Sequence, residues 1–160
     1  MEYFFALLFL TFLPAIKSKA PIYLTRDTTI KEIIKLLPKT RPFTFIDLGC
    51  GTGTVICKLA KVFPNGYFMG VELSPVLFIF SFLRAKLFRN VRVKFGSIFR
   101  TDLSNFDFVY MFLSPVANKL LAPYLKDLKR KTIISNSFPI EELKLAKRVD
   151  LSQPLFIYKL

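Results

Sequence analysis

The chain has 160 residues, which suits one domain with a single core and leaves little room for a second. The 24 Lys and Arg outnumber the 11 Asp and Glu, and the formal net charge of +13 favours an anionic partner such as nucleic acid, an acidic protein or a phospholipid surface. The basic residues are scattered, so a well-solvated surface is the alternative, and no nucleic-acid motif is visible. There is no histidine, and the only cysteines are Cys50 and Cys57, which excludes histidine-based acid–base chemistry and an ordinary zinc site.

The amino-terminal segment, residues 1–19, is set apart by its composition. Residues 3–16 are almost entirely apolar and are followed by Lys17 and Lys19. As a helix this run would reach about 21 Å, short of the ~30 Å hydrocarbon core of a bilayer. We expect a short or interfacial membrane anchor, with the remaining domain (20–160) in the cytoplasm because the lysines follow the apolar run. A core or partner-binding helix, a signal peptide and a wholly cytoplasmic protein are the alternatives.

The first elements of the domain follow from apolar spacing and turn residues. A helix is predicted with Asp27 or Thr28 as its N-cap and Pro38 at its end. The apolar residues at helical spacing are Ile30, Ile33, Ile34 and Leu37. The run FTFIDL (43–48) reads as a buried strand, and a glycine loop then leads into a second helix that closes at the PNG turn (64–66).

The next helix has an unusual composition. A strand at 67–73 contains Glu72 near its end, and Ser74 with Pro75 signals a helix start. Between residues 76 and 83 the only polar residue is Ser81. A helix on the outside of such a fold should show water one polar face. We therefore expect this helix to be covered by the amino-terminal segment or by lipid.

The remaining elements complete an alternating order of helix and strand. Strands are predicted at 91–95, 107–113 and 131–138, with a helix at about 117–129 that breaks near Pro123 and a closing pair at 144–149 and 155–160. This order predicts an α/β domain whose sheet is mostly parallel, with an antiparallel edge strand.

The glycine loop and the two strand-end acids indicate the kind of ligand. The dinucleotide fingerprint G-x-G-x-x-G would need its third glycine at Thr54, whereas the glycines here are Gly49, Gly51 and Gly53. Asp47 stands where a pyrophosphate would need hydrogen-bond donors, so it favours a cationic or amino-bearing ligand instead. Glu72, at the end of the neighbouring strand, can accept both hydroxyls of a ribose.

Together these residues resemble a known site. The pattern FIDLGCGTG followed by GVELSP resembles the S-adenosylmethionine site of the class I methyltransferases, and this implies their Rossmann-like sheet and that cofactor. The resemblance assigns the methionine end to Asp47, Gly49, Gly51 and Gly53, and the ribose to Glu72. It also brings Cys50 and Leu73 into the cofactor site and assigns the adenine to Ser97 and Ile98.

The second half of the chain narrows the resemblance. PIYLT and VYMFLSPVANKLLAPYLKDLKRKTIISNSF are similar to the small protein-lysine methyltransferases that include an archaeal broad-specificity enzyme and the mitochondrial ATP synthase c-subunit lysine methyltransferase. This resemblance implies that the methyl acceptor is a lysine on a protein, with membrane proteins among the candidates. It also implies that the reaction needs no metal. The residues expected at the reacting amine are Tyr23, Ser114 and Pro115, with Phe112 and Leu113 beside them.

Other acceptors stay open. Methyltransferases acting on base amino groups usually end the fourth strand with Asn or Asp and two prolines, whereas this chain has FLSP (112–115). Neither Cys50 nor Cys57 stands where a cytosine-carbon enzyme needs its nucleophile. Nucleic acid is therefore the less expected partner. Methylation of RNA or a small molecule, and a non-catalytic module that binds the same cofactor, are the alternatives to lysine methylation.

Overall fold

The computed structural model describes residues 23–160, so the predicted hydrophobic segment and the boundary of the domain at residue 20 lie outside the described residues. The helices are α1 (Asp27–Leu36), α2 (Thr54–Val62), α3 (Pro75–Ala85) and α4 (Pro115–Lys126), with one turn of 3-10 helix at Ile98–Arg100. The strands are β1 (Phe43–Leu48), β2 (Gly66–Glu72), β3 (Val91–Phe95), β4 (Phe108–Met111), β5 (Thr132–Asn136), β6 (Leu145–Val149) and β7 (Leu155–Lys159).

The strands form one seven-stranded sheet in the order β3-β2-β1-β4-β5-β7-β6. The first five strands are parallel to one another, and β7 runs antiparallel to both β5 and β6. The predicted mixed α/β sheet is thus confirmed, with the antiparallel strand lying one place in from the edge. In the order of the sheet, β1 lies between β2 and β4, where crossovers to either side leave a crevice at the carboxyl ends of the strands.

Two apolar layers cover the two faces of the sheet, and β1 contributes to both because its side chains alternate. Phe43 and Phe45 pack with α1 and α2, whereas Ile46 and Leu48 pack with α4. Asp47 follows the same alternation and lies on the side of Phe45. The core therefore fixes which face of the sheet the acid occupies.

Two predicted helix ends differ from the structure. The N-cap of α1 is Arg26 and neither of the predicted residues, Asp27 or Thr28, since the Asp27 carboxylate pairs with Lys58 instead of capping the helix. Helix α4 begins at Pro115 and continues through Pro123 without the predicted break. Pro123 is exposed, so water can reach the helical carbonyl group that loses its hydrogen bond to a proline.

Helix α3 carries its one central polar side chain inward. Ser81 is fully buried, and its hydroxyl donates a hydrogen bond to the Phe78 carbonyl oxygen at 2.9 Å. Apolar side chains instead occupy the outer surface of this helix. No helix within residues 23–160 is long and apolar enough to cross a bilayer.

Candidate active site

The glycine loop between β1 and α2 adopts a conformation that needs glycine. Gly49, Gly51 and Gly53 have φ values of 77°, 55° and 74°, a left-handed region that side chains disfavour. The Gly49 and Cys50 N–H groups both donate to the Val71 carbonyl oxygen, at 2.9 and 3.0 Å. These two hydrogen bonds hold the loop against β2. At Gly51 there is open space, because a Cβ added there would meet nothing within 4 Å.

Glu72 connects the loop to the start of α3. One carboxylate oxygen accepts a hydrogen bond from the Gly51 N–H at 2.8 Å, and the other accepts one from the Ser74 N–H at 2.8 Å. Ser74 is the N-cap of α3, as predicted, although its side chain makes no capping bond. Each carboxylate oxygen keeps further acceptor capacity for a ligand.

Asp47 is a buried acid with a perturbed pKa. Its side chain is only 3% exposed, and burial raises its pKa from 3.8 to about 8, with a smaller contribution from the nearby charge of Glu72. A positive charge placed beside it would favour the ionised form. The expected preference of Asp47 for a cationic ligand stays a prediction.

A small cavity of about 40 Å³ lies at the carboxyl end of β1 and is enclosed on one side by the residues that precede α1. Its lining residues are Tyr23, Leu24, Thr25, Asp47, Gly49, Cys50, Gly51, Thr52, Thr54, Val55, Tyr110 and Phe112. The enclosed volume holds only the small end of a ligand, so the larger part of a nucleoside must lie along the open side of the loop.

Aromatic rings form one wall of this region. The rings of Tyr23 and Phe112 are stacked with centroids 4.6 Å apart, and Phe138 lies 5.7 Å from Tyr23 and 6.4 Å from Phe112. The structure therefore brings the predicted Tyr23 and Phe112 together beside Asp47 and adds Phe138, which follows β5.

Ser114 and Pro115 occupy the start of α4. The Ser114 hydroxyl oxygen accepts a hydrogen bond from the Ala117 N–H at 3.3 Å, and Pro115 takes the first helical position. Neither residue lines the cavity, whereas the preceding Leu113 contacts the glycine loop, since a Cβ on Gly49 would lie 3.2 Å from Leu113 Cδ2.

Four other residues are predicted to bind the cofactor, namely Cys50, Leu73, Ser97 and Ile98. The Cys50 side chain is buried against Gly70, and burial raises the pKa of its thiol far above the usual range. Leu73 is largely exposed directly after Glu72. Ser97 begins the 3-10 turn, where its hydroxyl oxygen accepts a hydrogen bond from the Phe99 N–H at 3.3 Å, and Ile98 is half-buried beside it.

Sequence reasoning missed a buried tyrosine next to Asp47. Tyr110 is the residue of β4 that pairs with Asp47, and its hydroxyl oxygen lies 2.7 Å from Thr25 Oγ1 and 3.0 Å from Asn136 Nδ2. Burial is the main cause that raises the pKa of Tyr110, and the charge of Asp47 adds to it. Only the register of β1 against β4 reveals this contact, and no sequence signal does.

The approach of Gly53 to α3 leads to a test by substitution. A Cβ at Gly53 would lie 3.2 Å from Ser81 Cβ, whereas one at Gly51 would meet nothing. We expect Gly53→Ala to lower the free energy of unfolding by about 1 kcal/mol more than Gly51→Ala, because both strain the backbone but only the first presses on α3. Urea unfolding measures the difference, and equal losses would contradict the close contact.

Comparison with known proteins agrees with this geometry. A model of the ANTKMT methyltransferase domain matches residues 47–147, which include Asp47, the glycine loop and Glu72. A protein-lysine N-methyltransferase from Saccharolobus islandicus (strain REY15A) is 27% identical over 125 residues, covering 75% of this chain and 78% of that protein.

Solved structures share the fold. An RNA methyltransferase from Salinibacter ruber, in complex with S-adenosyl-L-homocysteine, superposes with a TM-score of 0.78 at 23% identity, covering 86% of this chain and 93% of that one. A ribosomal protein L11 methylase from Lactobacillus delbrueckii subsp. bulgaricus gives a TM-score of 0.68 at 16% identity, covering 82% and 78%. With its strand order, glycine loop and matched residues, the chain belongs to the ANTKMT methyltransferase domain family and is a class I S-adenosylmethionine-dependent methyltransferase.

Proposed function

We propose that this protein methylates lysine side chains of a protein substrate. The observation that carries the proposal is the aromatic cluster of Tyr23, Phe112 and Phe138 beside the cavity that Asp47 lines. A lysine side chain combines a long apolar stem with a cationic end, and aromatic rings bind both parts. The match to a protein-lysine N-methyltransferase supports the same acceptor.

The residues around the glycine loop fit S-adenosylmethionine. Asp47 would hold the cationic methionine end, the loop glycines would let the backbone approach it, and Glu72 would accept the ribose hydroxyls. Leu73 and Ile98 would offer apolar surface to the adenine, and Ser97 a polar contact. When bound, the cofactor supplies an activated methyl group.

The protein must also deliver the acceptor lysine in its neutral form. At neutral pH the loss of a proton from an ordinary lysine costs about 4 to 5 kcal/mol. Full burial can lower a lysine pKa by up to about 3 to 5 units, which is about 4 to 7 kcal/mol, whereas a desolvated cation–π contact is worth about 2 kcal/mol in favour of the charged form. Desolvation against the three rings therefore dominates, and the neutral amine becomes accessible there.

No nearby side chain is needed as a general base. Tyr110 pairs with Asp47 in the sheet, but burial raises the pKa of its hydroxyl above the usual range and so disfavours the phenolate. Its hydroxyl instead holds Thr25 and Asn136 in place. We infer that positioning and desolvation carry the reaction.

The amide of Asn118 holds the third ring in position. Asn118 Nδ2 donates to the Phe138 carbonyl oxygen and to Ser135 Oγ, both at 3.2 Å, and Ser135 Oγ donates to the same carbonyl at 2.6 Å. Ser137 adopts a left-handed φ of 65°, which turns the chain so that Phe138 reaches Tyr23. The segment after β5 is thereby fixed as part of the proposed lysine site.

Replacement of Tyr23 tests the role of its ring. Tyr23→Ala is expected to lower kcat/KM for the protein substrate by at least about tenfold, while cofactor affinity changes by less than about threefold. Tyr23→Phe keeps the stacked ring and should retain most activity. The proposal is contradicted if both variants lose cofactor affinity instead, as measured by calorimetry, or if Tyr23→Ala methylates protein normally.

The acceptor itself is tested by label transfer. The purified full chain is incubated with tritiated S-adenosylmethionine and either membrane or cytosolic extract, and aliquots are digested with protease or ribonuclease. We expect protease-sensitive label that acid hydrolysis releases as methyl-lysine, and much less of it with the Glu72→Ala variant when the cofactor is below saturation. RNA is the competing acceptor, since the net charge of +13 suits it, and label removed only by ribonuclease would refute lysine methylation.

A further inference from the structure

The outer face of α3 is an apolar surface. Ile79, Phe80, Leu83 and Leu87 are 54%, 60%, 60% and 81% exposed, and we call these four residues the α3 face. Ile79, Phe80 and Leu83 are spaced by three and four, so they lie on one side of the helix, and Leu87 lies in the turn that follows it. Surface helices normally turn such a stripe toward the core, and clustered exposed apolar side chains mark a binding surface.

The α3 face lies in the most one-sidedly charged stretch of the chain. Between Glu72 and Asp102 the sequence contains six basic residues and no acidic one. All six are exposed, and none takes part in the three ion pairs found within residues 23–160. They are Arg84, Lys86, Arg89, Arg92, Lys94 and Arg100.

A groove of about 580 Å³ adjoins the α3 face where α3 ends and β3 begins. Phe82, Leu87 and Phe88 give it an apolar lining, and Lys86, Arg89 and Arg92 supply positive charge. Lys86 Nζ lies 4.9 Å from the Phe82 ring centroid, so cationic and apolar groups are interleaved. This combination suits a molecule with an anionic head and an apolar body.

We propose that the α3 face and its basic surroundings dock on an anionic phospholipid bilayer. Helices that lie in a membrane interface place apolar side chains at the acyl boundary and Lys or Arg beside the head groups. The charge argues against two other occupants. A second copy would bring together like charges, and the amino-terminal apolar run at 3–16 would bring Lys17 and Lys19 toward the six basic residues.

The docked surface would lie next to the cofactor loop. Arg84 Nη1 donates to Thr54 Oγ1 at 2.8 Å, and Ser81 contacts Gly53 on the inner side of the same helix. The glycine loop is thus separated from the α3 face by about one helix diameter, roughly 10 Å. Docking of this surface on a membrane would therefore select acceptor lysines close to the membrane surface. This selection rests on the proposed function.

The chain contains no tryptophan, so one introduced residue is a unique fluorescent reporter. Leu83→Trp in the full chain is mixed with vesicles of equal parts phosphatidylcholine and phosphatidylglycerol, with or without bromine on the acyl chains. The matched control is Leu120→Trp, on α4 at the opposite face of the sheet, where the side chain is 64% exposed. We expect a blue shift and quenching by the brominated lipid for Leu83→Trp, and neither for the control.

Charge reversal tests the electrostatic part. Lys86→Glu with Arg89→Glu, in the Leu83→Trp chain, should weaken vesicle binding by at least about tenfold, and Lys126→Glu with Lys129→Glu should have a much smaller effect. Vesicles of phosphatidylcholine alone should bind weakly.

Other outcomes would overturn the proposal. Emission that is already blue-shifted without vesicles and does not respond to them would mean that another part of this chain covers the face. A shift that depends on protein concentration would mean a second copy. Cosedimentation of the chain without quenching of Leu83→Trp would place the membrane contact elsewhere. Because these measurements need no methyl transfer, their failure leaves the proposed lysine methylation untouched.

Discussion

Replacement of Asp47 by Asn is expected to stabilise the cofactor-free protein and, at the same time, to weaken S-adenosylmethionine binding. Burial raises the pKa of Asp47 from 3.8 to about 8. At pH 7 the folded protein therefore holds a proton that the unfolded chain releases, which corresponds to about 4 kcal/mol of lost stability. Asn removes this loss but leaves a buried amide, so we expect a net gain of about 2 kcal/mol.

The raised pKa of Asp47 determines how the free energy of unfolding changes with pH. A raised pKa in the folded state contributes stability that is complete below the unfolded value and is lost as pH rises to the folded value. The stability of the wild type should therefore fall between about pH 4 and pH 8, and Asp47→Asn should flatten this slope. Urea unfolding across this pH range measures it. Parallel slopes for the two proteins would contradict a buried, protonated Asp47.

Cofactor binding should show the opposite preference. A cationic ligand binds the ionised acid, so affinity should fall as pH drops below about 8, and binding at pH 7 should release a proton. Calorimetry in two buffers of different ionisation enthalpy detects that proton. Asp47→Asn should weaken binding by at least about tenfold and abolish the proton release, and unchanged affinity would remove Asp47 from the cofactor site.

Glu72→Ala is expected to weaken S-adenosylmethionine binding by at least about tenfold without unfolding the protein. The carboxylate joins the Gly51 N–H to the Ser74 N–H, so its loss removes both the proposed ribose contact and the link between the loop and α3. Gly51 and Ser74 are only half-buried, so water can replace the lost acceptor.

Two further variants make the Glu72 result specific. Glu72→Gln keeps one oxygen but presents an amide nitrogen that cannot accept a hydrogen bond, so its affinity should fall between wild type and Glu72→Ala. Glu141→Ala removes an exposed acid after β5 and should leave binding unchanged. Calorimetry on the three variants decides the assignment, and wild-type affinity for Glu72→Ala would refute it.

The sequence could place the site residues that lie at the ends of predicted strands. Asp47 lies near the end of an apolar strand and Glu72 ends the next, and adjacent parallel strands bring their carboxyl ends to the same edge. The fold class follows from the alternating order of helices and strands along the chain. The predicted glycine loop lies between β1 and α2, and the left-handed φ values of its three glycines are a finding of the structure.

The residues that escaped prediction depend on contacts between distant segments. Tyr110 faces Asp47 only through the register of β4 on β1. Phe138 reaches Tyr23 because Asn118 and Ser135 hold its carbonyl group and Ser137 turns the chain. These are tertiary hydrogen bonds between residues far apart in the chain, and no local pattern encodes them.

The sequence showed that α3 is almost entirely apolar, but it did not show which of its side chains face the solvent. The run around Ser81 predicted a covered helix, and the structure shows Ser81 buried and the apolar side chains exposed. Local periodicity predicts which residues share one side of a helix but not whether that side faces the core or the solvent. In α3 the close contact between Gly53 and Ser81 turns the serine side toward the core.

The central claim is that this methyltransferase modifies a protein lysine, and quantitative mass spectrometry of lysine methylation tests it most directly. Cells that lack the protein are compared with cells that carry the wild type or Glu72→Ala, and membrane and remaining fractions are examined separately. We predict that at least one protein loses lysine methylation without the enzyme, and that the wild type restores it whereas Glu72→Ala does not. An identical pattern of methyl-lysine in all three, in both fractions, would contradict the account.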